Sequence, residues 1–144
     1  MNAFESAFSL GKFGEAAAAL ERFKQPLPFL HLLVFLGARQ AGDAKLAELE
    51  LMKAVDDFGK WGKTGRLAVA CLKGGNPGGA LNIGFSVPEK RIFLAAMGTL
   101  FESVREPCFH LAAQLNQSPV FPAIFLKQIV GDAPPVSQGQ HQGL

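Results

Sequence analysis

The sequence predicts an all-α fold built as a stack of helical hairpins, and three observations carry that prediction. A short pattern returns three times: a helical segment ends in Gly, Ala follows five residues later, and a bulky or small apolar residue follows four beyond that. The triplets are Gly11–Ala16–Leu20, Gly42–Ala47–Leu51 and Gly75–Ala80–Gly84. Their spacing, 31 and then 33 residues, is the self-similarity period of stacked helix-turn-helix units. Composition agrees: 144 residues with 49% apolar and 18% charged side chains suffice for one buried core and do not resemble a disordered chain.

The first unit runs through Ser9-Leu10-Gly11 into Lys12 to Phe23. Gly11 suits a helix end, where left-handed geometry costs no Cβ clash. Ala16 to Ala19 and Leu20 then build a second helix of high propensity, with Ala16 small where two antiparallel helices must approach. The helix before Gly11 is short, Asn2 to Ser9 at most. In the second unit an apolar helix over Phe29–Ala41 turns at Gly42-Asp43 into an amphipathic helix over Lys45–Phe58. Its periodicity assigns Leu46, Ala47, Leu49, Leu51, Ala54 and Val55 to the core, and Lys45, Glu48, Glu50, Lys53 and Asp57 to the outside. The third unit has a helix over Arg66–Lys73, a break at Gly74-Gly75-Asn76-Pro77, and a weak glycine-rich helix over Gly78–Val87 that Pro77 would start.

Beyond Pro88 an amphipathic helix is expected over Glu89–Val104, with Ile92, Phe93, Ala96, Met97, Leu100 and Val104 on one stripe. Pro107 is placed to begin the next helix, to Asn116, and Ser118-Pro119 and Phe121-Pro122 lead to a last apolar helix over Ala123–Val130 that caps the stack. The division predicted is a helical-repeat domain over 1–130 and a disordered tail over 131–144, rich in Pro, Gln and Gly.

The motifs are similar to those of tetratricopeptide repeats. The resemblance is carried by Phe35, Ala38, Gly42-Asp43-Ala44-Lys45-Leu46-Ala47, Leu51 and Ala54, and again by Gly11-Lys12-Phe13-Gly14-Glu15-Ala16, Leu20 and Phe23. Leu67-Ala68, Cys71, Gly75, Ala80 and Val87 form a degenerate third copy, so the likeness covers residues 1–87. It implies an α-solenoid of three to four such pairs with a C-terminal capping helix. It also implies a concave groove lined by the first helix of each pair. Carried over by position, that groove takes Glu5 and Phe8, then Phe29, Leu32, Leu33, Leu36, Arg39 and Gln40, then Arg66, Val69 and Lys73. A groove apolar in the middle with a basic rim would accept an amphipathic helix or an apolar peptide of a partner. The expected function is a non-enzymatic adaptor or small chaperone. The alternative is a structural subunit that uses the groove as an obligate homo- or hetero-oligomer contact. A second assignment of Phe29, Leu32 and Leu36 places them in the core, under the 89–104 helix or a second copy.

Charge is unevenly spread. Residues 1–59 carry a net −2 and residues 60–144 a net +4, and Lys60, Lys63, Arg66 and Lys73 recur on roughly one helical face. That face is either a docking stripe for an acidic partner or a solvated surface. No recognition motif for nucleic acid accompanies it.

Catalytic, metal and cofactor patterns are not found. His31, His110 and His141 are scattered, Cys71 and Cys108 lie 37 residues apart, and Cys108 and His110 point to different sides of a helix. His31, on an apolar helix, reads as a packed or groove-lining residue. Lys73 to Gly79 lacks the strand and the Lys-Ser/Thr of a phosphate-binding loop, and Asp56-Asp57 stands without further carboxylates. The longest mostly apolar stretch, Leu27–Ala38, is shorter than the roughly 20 residues of a membrane span. With no basic leader at Met1 to Glu5 and no disulfide framework, a cytoplasmic setting is expected.

Overall fold

A computed structural model describes residues 2–115 and 121–132; the 133–144 part of the expected tail, with His141, and the Ser118-Pro119 connection lie outside the described residues. All regular structure among the described residues is helical. Two short helices, α1 (Ala3–Ser9) and α2 (Phe13–Leu20), precede α3 (Pro28–Gln40) and α4 (Ala44–Phe58). Then come α5 (Gly62–Leu72), a 3₁₀ turn at Pro77–Asn82, and α6 (Val87–Leu100). A second 3₁₀ turn at Glu102–Val104 leads into α7 (Arg105–Gln114), and α8 (Ala123–Val130) follows.

The recurring glycines mark real helix ends. Gly11 and Gly42 have φ of 76° and 83°, geometry that a Cβ would strain. At each, the chain is closed by a bond from two residues after the helix back into it: Lys12 N–H donates to Ala7 O at 2.9 Å, and Asp43 N–H to Ala38 O at 2.8 Å. Asp43 then caps α4 by accepting from Leu46 N–H at 3.1 Å. The third copy departs from this scheme. Its left-handed residue is Gly74 rather than Gly75, and the expected helix over 78–87 is a 3₁₀ turn followed by extended chain at Ile83. Gly78, Gly79 and Gly84 give that segment too little helical propensity to continue.

Helices α1–α2, α3–α4 and α6–α7 pack as consecutive hairpins. Ser86 and Glu89 form a reciprocal capping box at the start of α6, which ends at Leu100, so Val104 falls in the following turn and not on the α6 stripe. Helix α3 runs through the centre with α2, α4 and α6 against it, and α8 packs on α6 and α7. Two close approaches depend on absent side chains: the Phe13 ring lies on α3 at Gly37, and the Phe109 ring lies on α6 at Gly98.

Aromatic rings organise the core in two groups. Phe8 packs against Phe13, Phe121 and Phe125 at centroid distances of 5.1, 5.5 and 4.9 Å, tying α1 to α8. Phe29, Phe58, Trp61, Phe85 and Phe93 form the second, mostly edge-to-face, group joining α3, α4 and α6.

Candidate functional site

The apolar groove expected on the first helices is filled. Phe8, Phe29, Leu32, Leu33 and Leu36 are buried in the core, and every residue of α3 from His31 to Ala38 is buried. A helix apolar on all sides needs cover on all sides, and α2, α4 and α6 supply it. The assignment of these five side chains to a partner surface is therefore corrected, and the same burial removes the groove through which an oligomer was expected to form. Glu5 is half-buried on α1. Of the remaining predicted residues, Arg39, Gln40, Arg66 and Lys73 are exposed and Val69 is half-buried. Arg39 sits at the C-terminal end of α3, whereas Arg66, Val69 and Lys73 belong to α5 and its cap, so they do not line a common groove.

Helix α4 buries most of its expected face: Ala47 and Ala54 are buried, and Leu46, Leu51 and Val55 pack against the core, but Glu50 and Phe58 also point inward while Leu49 is exposed. Glu50, expected outside, is fully buried because His31 requires a partner. The Nδ1–H of His31 donates to Glu50 Oε1 at 2.7 Å. On the other side of the ring, Nε2 faces Asp57 Oδ2 at 3.6 Å. Asp57 Oδ2 also accepts the Leu27 N–H at 2.9 Å, which fixes the entry to α3.

Lys53 completes the network. Its ammonium lies 3.0 Å from Glu21 Oε2 and 3.4 Å from Glu50 Oε2, the latter an ion pair rather than a directional hydrogen bond. Burial opposes its charge, yet the bonds and fields of Glu21 and Glu50 outweigh that and raise its pKa above the ordinary lysine value. The five groups clamp the 21–27 segment onto α4. Four of them, Glu21, His31, Lys53 and Asp57, line a cleft of about 230 Å³ that Phe23, Lys24 and Lys60 also line.

Opposite the buried face, α4 carries apolar surface. Leu49 and Met52, three residues apart on α4, are 44% and 57% exposed, and Phe23, on the cleft it shares with Lys53 and Asp56, is 52% exposed. On α5 Leu67 is likewise exposed. Sequence periodicity found none of the four as surface: it placed Leu49 in the core and Phe23 beside Leu20 in the space between the first two helices, and both are corrected. For Leu49 and Met52 the signal that could have found them is the histidine: a polar ring on an otherwise apolar helix calls for a buried carboxylate, and burying one on α4 leaves these two on the opposite face.

The groups with chemical potential are occupied or shielded. Burial pushes the Cys71 thiol up, and burial together with the field of Cys71 pushes Cys108 up to about 11, so neither supplies a thiolate near neutral pH. His110 is exposed and hydrogen-bonded to Gln114 at 3.2 Å. Arg91 on α6 is buried, its Nε meets no acceptor, and desolvation lowers its pKa. Among the described residues no group of three or more His, Cys, Asp or Glu side chains is arranged to hold a metal ion, and no helix is long and apolar enough to cross a membrane.

Compared with protein-family models, curated proteins and solved structures, the chain matches none. The functional reading therefore rests on the geometry of this molecule.

Proposed function

We propose that the chain is a non-catalytic protein-binding module on a scaffold of tetratricopeptide-like hairpins, docking its partner on the outer face of α4 rather than in a concave groove. One observation carries this reading: α4 buries a glutamate and leaves Leu49 and Met52, three residues apart on its opposite face, in water. Exposed apolar side chains are common singly, but a pair on one helical face held by a buried polar clamp is the kind of patch that partners cover. The clamp fixes the patch before binding, which lowers the ordering cost of association. The reading is of an adaptor or small chaperone.

Immobilised protein incubated with native lysate tests the reading. The wild type is expected to retain a partner in stoichiometric amount that the Leu49→Asp/Met52→Asp variant does not retain. Leu36→Asp is unsuitable for this purpose, because Leu36 is core and its replacement unfolds the chain. Equal retention by the wild type and the α4 variant, with both folded, would refute docking on this face.

A further inference from the structure

Helix α5 separates into two faces. Gly65, Ala68, Cys71 and Leu72 point inward, and Gly65 lies so close to the Phe58 carbonyl that no side chain fits. Lys63, Arg66, Leu67 and Ala70 point outward, with Lys73 at the C-cap continuing the same row, while Lys60 precedes the helix and lines the α4 cleft. Between Asp57 and Glu89 the chain has no acidic residue at all. Lys60 reaches Asp57 at 3.7 Å, while Lys63, Arg66 and Lys73 have no acidic side chain within ion-pair distance among the described residues. Lys63 also stands in the first helical turn, which holds no acid to complement the dipole, so its charge works against the local stability of α5.

From this arrangement we infer that the outer face of α5 docks an acidic amphipathic helix of another protein. The inference rests on the protein-binding reading above and names a second contact surface and the chemistry of the partner. At 1.5 Å rise per residue the cations from Lys63 to Lys73 extend over about 15 Å, so a partner helix of about three turns spans them. Leu67, half-exposed, and Ala70, small enough for close backbone approach, form an apolar centre between the charges. That centre distinguishes the partner. A phosphate backbone makes no use of Leu67, and Trp61, just before the helix, is packed against Phe29 and Phe58 and is not free to stack on bases. A membrane surface calls for a broad apolar face, which Leu67 and Ala70 do not make.

The test is fluorescence anisotropy of the full chain with a labelled synthetic helix of about 16 residues, Leu at i, i+3, i+4 and i+7 and Glu elsewhere. Three comparison probes are used: a scrambled peptide of the same composition, a 20-base-pair DNA duplex, and phosphatidylserine-containing vesicles. The amphipathic peptide is expected to bind at least fivefold more tightly than the scrambled one. Its affinity is expected to fall at least fivefold between 50 and 300 mM NaCl. Lys63→Glu/Arg66→Glu is expected to lose at least tenfold, and Leu67→Ser at least threefold on the amphipathic peptide only. These positions are exposed, so an unchanged circular dichroism spectrum and a melting temperature no lower than that of the wild type are expected alongside. Peptide affinity unaffected by the charge reversal, or tighter binding of DNA or vesicles than of the peptide, would overturn the proposal. A lysate partner kept by Lys63→Glu/Arg66→Glu and lost by Leu49→Asp/Met52→Asp would overturn it while leaving the α4 reading intact. A partner kept by both variants would remove both.

Discussion

Replacing Glu50 by Ala should be among the most damaging single changes in the chain, although the residue is a glutamate on an amphipathic helix. Glu50 is wholly buried and accepts from His31 Nδ1 at 2.7 Å, with the Lys53 ammonium 3.4 Å from its second oxygen. Truncation leaves the His31 donor without an acceptor in the core and takes one of two carboxylates from Lys53, which keeps Glu21. Removing one partner of a buried ionic pair costs about 3–5 kcal/mol. For a domain of this size that corresponds to a fall in Tm of roughly 10–20 °C. Glu50→Gln keeps the shape and an acceptor and loses only the charge assistance, about 1–2 kcal/mol. His31→Leu/Glu50→Met removes both partners in favour of apolar groups of similar size, and is expected within about 1–2 kcal/mol of the wild type. Urea unfolding followed at 222 nm measures all of these, and the cycle isolates the coupling. Less than about 1 kcal/mol lost in Glu50→Ala, or a double variant as unstable as its two singles summed, would refute the assignment of this pair as the anchor of α4.

Two further expectations concern glycine and cysteine. Gly14 lies inside α2 with open space at its Cβ position, so Gly14→Ala should stabilise by about 0.5–1 kcal/mol, whereas Gly65→Ala meets the Phe58 carbonyl and should destabilise by more than 1 kcal/mol; urea midpoints with opposite shifts check both. Because Cys108 is pushed from 9.0 to about 11 on folding, its contribution to stability is complete below pH 9 and is lost as pH rises toward 11, by roughly 2–3 kcal/mol. Cys108→Ala should flatten that decline, and a thiol reagent should leave both cysteines of the folded protein unmodified at pH 8; a pH-independent stability from 9 to 11 would contradict the burial argument.

Local signals in the chain were sufficient for the two clearest helix ends and for the last helix. Gly11 and Gly42 adopt the left-handed conformation that ends α1 and α3, and Ala123–Val130 forms as expected. The segment after Gly75 was misread because its spacing fits a repeat while its glycines do not sustain a helix. Helix α5 begins at Gly62, four residues before the expected start, since Lys63 and Thr64 give no capping signal. Helix α7 begins at Arg105, two residues before Pro107. The site was harder to read than the fold. Periodicity found most of the inward face of α4 but not the exchange of Leu49 for Glu50, which the His31–Glu50 bond across 19 residues decides. The burial of α3 by α6 is likewise a contact between distant segments, so a stripe that looks like a groove floor is core.

Docking on the outer face of α4 is tested most directly by placing a photoreactive benzoylphenylalanine at Met52, and in a second protein at Ala18, which is exposed on α2. After irradiation in native lysate the Met52 position is expected to yield a discrete crosslinked partner and the Ala18 position none. A partner crosslinked from Ala18 and not from Met52 would place the binding surface elsewhere and contradict the account.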